Sequence, residues 1–220
     1  MRVIVTAGPT REYIDTVRFI TNASSGQMGC QVALATAREG HEVTLLLGRG
    51  ASDLARTMVE QFNQSEAAGR TRIAIVPFTS VDDLKHALDE RFAACERLVM
   101  AAAVGDFRPE VALPSKLRRR GGPITVKLFP TDDILAGLGA RKRPRQRIVA
   151  FAVEDAPPGE IETKARAEMA EKNADYVVLN TPAAMAADHS YACILSPSAV
   201  VLPWGDRPKE TLAAEIARLI

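Results

Sequence analysis

The chain has 220 residues, 47% of them hydrophobic and 25% charged, which is enough apolar content for a buried core and argues against disorder. Its formal charge of +1 gives no whole-protein field for nucleic acid or an anionic membrane, so any anion must be met locally. With 5% aromatic residues, base-stacking platforms are not expected either. Cys30, Cys95 and Cys193 lack metal-ligand spacing and read as buried, neutral thiols of a reducing compartment. No basic segment followed by a long apolar one precedes Val3-Ile4-Val5, and no apolar run approaches the length of a membrane span. A soluble, cytoplasmic protein is expected.

In chain order, Arg2–Thr6 reads as a strand, and Gln27–Glu39 as a helix stopped by Gly40. Glu42–Leu47 and Arg72–Val76 read as strands. Ser80–Ala94 reads as a helix, with Ser80, Asp82 and Asp83 where a cap and first-turn acids belong. Leu98–Ala103, Arg147–Val153 and Tyr176–Leu179 are further strands, the last two separated by a helix over Ile161–Lys172. Strands that are apolar throughout are buried on both faces, and their alternation with helices predicts an α/β fold. The expected architecture is a doubly wound, mostly parallel sheet with helices on both faces. Residues 1–220 are read as one domain. Two segments break the rhythm: an extended flap or hairpin over about 109–128, and a C-terminal hairpin and helix over about 190–220. The hairpin is expected from Ala192–Leu195 and Ala199–Leu202, and the helix from Lys209 to Leu219.

Ligands of such sheets bind beyond the carboxyl ends of the strands, so the segments after each strand carry the chemistry. After the first strand, Gly8 allows a tight turn. Ser24, Ser25 and Gly26 then set hydroxyls and backbone N–H groups at a helix mouth, where the dipole favours an anion. Gly29, one turn in, lets that helix approach the sheet. An ordinary capped helix after a long loop is the competing reading of this segment. Neither G-x-G-x-x-G directly after the strand nor a lysine-bearing P-loop is present, which disfavours an ordinary NAD enzyme or NTPase. After the fourth strand, Ala101-Ala102-Ala103-Val104-Gly105-Asp106 offers small residues for a ligand to lie against and a carboxylate that can accept hydrogen bonds or help hold a metal through water. The basic run Lys116 to Arg120 reads as a solvated edge, or as phosphate-neutralising charge if the flap lies beside an anion site.

Together these segments resemble phosphopantothenoylcysteine synthetase. The similar stretches are Thr6–Glu12, Ile14–Asn22, Ser24–Gly26, Ala101–Pro109, Lys116-Leu117, Asp133–Leu135 and Phe151–Glu154, in order over nearly the whole chain. The resemblance implies a Rossmann-like ligase that joins 4′-phosphopantothenate to cysteine through an acyl-nucleotide, using CTP or ATP with Mg²⁺ and no flavin. It implies that Asn22 engages the phosphopantothenoyl group and assists amide formation, that Arg18 is functional, and that Lys116 serves acyl-nucleotide formation. Gly8, Ser24, Ser25, Gly26 and Ala102 would contact the acyl substrate. Asp106, Thr131, Asp132, Asp133, Ile134, Phe151 and Lys172 would contact the nucleotide. Three features depart from the bacterial pattern: Gln27 and Glu168 in place of lysines, and the Gly121-Gly122-Pro123 turn, which is more like the eukaryotic form. A stand-alone synthetase without the flavin-dependent decarboxylase domain, and a homodimer, are further expectations of the resemblance. The competing readings are a nucleotide- or flavin-binding oxidoreductase and a non-catalytic binding module on the same sheet.

Overall fold

The computed structural model describes residues 1–65, 71–119, 122–154, 158–184 and 187–220. Arg120 and Gly121, part of the basic run and of the glycine turn, lie outside the described residues. The first strand, β1 (Arg2–Ala7), leads into a short antiparallel ladder of β2 (Arg11–Tyr13) and β3 (Phe19–Thr21), then α1 (Gln27–Arg38). Next come β4 (Glu42–Gly48), α2 (Asp53–Gln64), β5 (Ala74–Phe78), α3 (Val81–Phe92) and β6 (Arg97–Met100). The ladder β7 (Phe107–Pro109) with β8 (Leu128–Pro130) closes the base of the flap. After it run α4 (Ile134–Ala140), β9 (Arg147–Val153), α5 (Pro158–Glu171) and β10 (Tyr176–Asn180). The chain finishes with β11 (His189–Leu195), β12 (Val200–Pro208) and α6 (Lys209–Ala217).

The main sheet has the order β12-β11-β10-β9-β6-β1-β4-β5. From β5 across to β10 every pairing is parallel, and β11 and β12 add an antiparallel edge. The expected doubly wound sheet is therefore present. Side chains alternate between two buried layers, as the pleat requires. Val3, Val5 and Ala7 of β1 pack with α1, α2 and α6, whereas Ile4 packs in the layer holding α3, α4 and α5. All three cysteines are buried within these layers. Burial pushes the Cys30 and Cys193 thiols up to about 12 and Cys95 to about 11, so they stay protonated at neutral pH.

Several elements differ from the sequence expectation. The strand expected at Arg72–Val76 is shifted to Ala74–Phe78, in register with Thr44–Gly48, with Pro77 tolerated because β5 is an edge strand. The strand expected at Leu98–Ala103 ends at Met100. There the Thr6 hydroxyl accepts from the Ala102 N–H at 3.0 Å, and Ala103 bridges to Pro9. These contacts draw the chain off the sheet. The hairpin strand expected at Ala199–Leu202 runs on to Pro208. Helices α2 and α4 and the β2–β3 ladder were not anticipated, whereas β7 and β8 form the base of the expected flap or hairpin. No helix among the described residues is long and apolar enough to cross a membrane.

Candidate active site

The sheet order reverses at β1, whose neighbours are β4 on one side and β6 on the other. The loops after β1 and β6 therefore diverge, and a crevice opens at their carboxyl ends. It is a cavity of about 730 Å³. One wall is residues 21–29, at the mouth of α1, and another is residues 100–104 with Asp106. Residues 131–135, Phe151, Val153, Lys172, Asn180, Ala184 and Lys209 complete it.

The α1 wall is shaped by glycine. Gly29 packs so closely on β1 that a Cβ there would lie 2.6 Å from the Ala7 Cβ and 2.7 Å from the Thr6 carbonyl oxygen. Gly26, the residue preceding α1, has φ 78°, and a Cβ on it would meet Gly8 at 3.2 Å. That left-handed geometry favours glycine. No side chain caps α1, and no acid occupies its first turn. The Ser24 and Ser25 hydroxyls only graze the Gly26 and Gln27 N–H groups, at 3.4 Å each. The first-turn donors therefore remain available to a ligand.

The opposite wall is pinned by two threonines. Thr10 accepts from the Gly105 N–H at 2.9 Å, and the Thr131 hydroxyl donates to the Gly105 carbonyl at 2.7 Å. The Thr131 N–H donates to the Asp106 backbone carbonyl at 2.9 Å, and the Asp106 carboxylate itself has no partner among the described residues. Asn22 spans the two walls, its Nδ2 donating to the Val104 carbonyl at 3.0 Å. At the far end Asp133 caps α4, accepting from the Ala136 N–H at 2.9 Å, and pairs with Lys172 at 3.2 Å. Asp132 lies 3.7 Å from Lys85.

Of the residues singled out from sequence, Asn22, Ser24, Ser25, Gly26, Ala102, Asp106, Thr131, Asp132, Asp133, Ile134, Phe151 and Lys172 line this one cavity. Gly8, Arg18 and Lys116 do not. Gly8 lies behind the wall against Gly26. Arg18 is committed to the flap: its guanidinium pairs with Asp15 and donates to the Leu117 carbonyl at 3.2 Å. Asp15, only 1% exposed, accepts in turn from the Leu117 N–H at 3.0 Å. Burial alone would raise the Asp15 carboxyl. The N–H groups of Leu117, Arg18 and Val17 and the Arg18 guanidinium outweigh it and hold the carboxyl far below the ordinary carboxylate range. Asp15 thus fixes the residue next to Lys116, a role that sequence reasoning missed.

Lys209 and Asn180 were missed as well. Both line the cavity, and the Asn180 Oδ1 is buried without a hydrogen-bond partner among the described residues. Glu168, which stands where a lysine was expected, pairs with Lys164 at 3.8 Å rather than reaching Lys172. Among the described residues no group of three or more His, Cys, Asp or Glu is placed to hold a metal.

The family of the DNA/pantothenate metabolism flavoprotein C-terminal domain matches residues 1–220. The chain belongs to this family. It is 39% identical over 180 residues to a cysteine/cysteine sulfinic acid decarboxylase of an unknown prokaryotic organism, covering 82% of this chain and 45% of that protein. It is 36% identical over 178 residues to the coenzyme A biosynthesis bifunctional protein CoaBC of Bacillus subtilis strain 168, covering 81% of this chain and 39% of that protein. The chain thus spans less than half the length of these curated relatives. The crystal structure of the C-terminal domain of a CoaBC protein superimposes with a TM-score of 0.71 at 28% identity, covering 99% of this chain and 92% of that domain.

Proposed function

We propose that the cavity joins 4′-phosphopantothenate to L-cysteine at the expense of CTP or ATP. The observation that carries this reading is the gathering of twelve sequence-predicted residues around one cavity: Asn22, Ser24, Ser25 and Gly26 at its α1 end, Ala102 on the facing wall, and Asp106, 131–134, Phe151 and Lys172 at its other end. Family membership and the likeness to the CoaBC C-terminal domain support it. The decarboxylation named for the other relative belongs to a protein of which this chain covers 45%.

In the first step a pantothenate carboxylate oxygen bonds to the α-phosphorus of the triphosphate, the bond to the β-phosphate oxygen breaks, and pyrophosphate leaves. In the second the cysteine nitrogen bonds to the acyl carbon, the acyl–oxygen bond breaks, the amine loses a proton, and a nucleoside monophosphate leaves. A carboxylate is a poor acyl donor until its oxygen belongs to a good leaving group, so the protein's work is alignment and charge neutralisation. Asn22 would hold the acyl group between the two walls, and Lys172 would meet the nucleotide's phosphates. Mg²⁺ carried on the triphosphate would neutralise part of its charge. The free Asp106 carboxylate suits such an ion, which keeps most of its ligands as phosphate and water oxygens. Lys116 sits on the flap outside the cavity, so its proposed part in acyl-nucleotide formation requires the flap to bring it inward. A homodimer remains part of this reading.

A side-by-side turnover assay with CTP and ATP in Mg²⁺ tests it. Pyrophosphate release that depends on 4′-phosphopantothenate, and amide product that depends on cysteine, are expected with at least one nucleotide. Absence of turnover with both would contradict the proposal.

A further inference from the structure

Strand β10 pairs with β9 and β11, and its last residue, Asn180, stands opposite Val153 on one side and Ala192 on the other. Val178 packs in the layer of α1, α2 and α6 and Leu179 in the other layer, so the pleat turns the Asn180 side chain toward the α1 and α6 face. The Asn180 backbone carbonyl accepts from the Glu154 N–H at 2.9 Å. Its carboxamide makes no hydrogen bond to any described residue, and the Oδ1 is buried. An unmet buried carbonyl oxygen costs the free protein stability, and a ligand that brings a donor removes that cost. The carboxamide lines the cavity together with Val153 and Ala184. Ala184 is held by its N–H, which donates to the Thr181 carbonyl at 3.0 Å, and its small side chain leaves room for a short one on the ligand.

We propose that Asn180 anchors the amino-acid co-substrate, its Oδ1 accepting from the α-amine and its Nδ2 donating to the α-carboxylate. This rests on the reading that the cavity joins 4′-phosphopantothenate to cysteine. Polarity separates the three ligands of that reaction. The open α1 start presents backbone N–H donors, which suit an anion. The nucleotide candidates Asp133 and Lys172 belong to α4 and the end of α5, on the opposite face of the sheet, and pair with each other at 3.2 Å. Asn180 is neutral and carries an acceptor and a donor side by side. A free amino acid is a neutral zwitterion with a donor and an acceptor on one carbon, so it matches the carboxamide in net charge and in hydrogen-bond type. An amine held through an N–H on Oδ1 also keeps its lone pair, once deprotonated, for the acyl carbon.

Steady-state turnover with cysteine and with cysteamine, which lacks the carboxylate, tests the assignment in the full wild-type chain and in Asn180→Leu. The KM for cysteine is expected to rise about 10- to 100-fold in Asn180→Leu, the scale of losing one or two buried hydrogen bonds. The wild type should prefer cysteine to cysteamine, and that preference should shrink several-fold in the variant, because the group that reads the carboxylate is gone. The KM values for 4′-phosphopantothenate and the nucleotide should stay as they are. Asn180→Ala, which adds no apolar bulk, should lose the same selectivity, so that poor folding of the leucine variant does not decide the matter. An unchanged KM for cysteine, an unchanged preference over cysteamine, or an equal rise in KM for 4′-phosphopantothenate or the nucleotide would each overturn the assignment. A wild type that uses cysteamine as well as cysteine would overturn it without any variant. A wild type with no cysteine-dependent turnover overturns the functional reading beneath it, which keeps the two failures distinguishable.

Discussion

Helix starts in this molecule are of two kinds. Ser80 caps α3 by accepting from the Asp83 N–H at 3.1 Å, Asp83 returns bonds to Thr79 and Ser80, and buried Glu12 accepts from the Val81 N–H at 2.8 Å. Burial raises the Glu12 carboxyl, and the Val81 N–H partly offsets this. The α2 start is closed by Ser52, which accepts from Ala55 at 3.3 Å. The α1 and α6 starts have no such closure, and both face the cavity. The sealed starts of α2 and α3 contribute stability away from the cavity, whereas the Asp133 cap of α4 both seals a helix and lines the cavity. A start left open contributes less to the free protein and leaves donors for an anion. The difference separates scaffold from site within one sheet edge.

The largest effect is expected in the chemistry between the open starts and the nucleotide wall. Asn22→Ala should lower turnover about 100-fold, the scale of losing one positioned polar group, and let the acyl-nucleotide accumulate. Lys116→Ala should instead prevent its formation, and quenched-flow analysis that finds both variants stalled at one step would refute this division. Next in size, Gly29→Ala should cost about 1–3 kcal/mol by forcing α1 off β1, read from urea unfolding, and should weaken substrate binding along with it. The caps then give the sharpest contrast. Ser80→Ala should lose about 1 kcal/mol of stability with substrate affinity intact. Ser25→Ala, whose contact is already long, should lose little stability and several-fold affinity, roughly one neutral hydrogen bond. A result in the reverse order would erase the distinction between the two kinds of start.

The smallest effect concerns the flap. The Asp15 carboxyl titrates lower in the folded chain than its unfolded value of about 4. Its contribution is therefore fully present above that value and is lost as pH falls through the lower folded one. The Leu117 amide should stay protected from hydrogen exchange in mild acid and lose protection only in stronger acid. In Asp15→Asn that amide should exchange faster at every pH.

Much of this was legible because periodicity and punctuation report burial. The apolar runs of β1, β4 and β9 stated that both faces are covered, and Ser24-Ser25-Gly26 announced a helix mouth. Helix α2 carried its own signal in Ser52 followed by Ala55, Val59 and Phe62, but its polar background hid the stripe. The ladders β2–β3 and β7–β8 are only three residues a side, too short for alternation to show. The resemblance marked Arg18 as functional, while its partner Asp15 did not show in the sequence, which reports a charge and not what it pairs with. Lys209 escaped for another reason. A lysine opening a C-terminal helix reads as solvated, and only the run of β12 to Pro208 carries it to the buried edge.

The central claim is that the cavity between the mouth of α1 and residues 131–135 takes 4′-phosphopantothenate. Amide chemical-shift mapping of the labelled chain during titration with 4′-phosphopantothenate tests it most directly. Large shifts are predicted at Ser25 to Gly29 and at Lys209, with Val81 to Asp83 unmoved. Shifts confined to Asp133 and Lys172, or spread equally over the sealed start of α3, would contradict it.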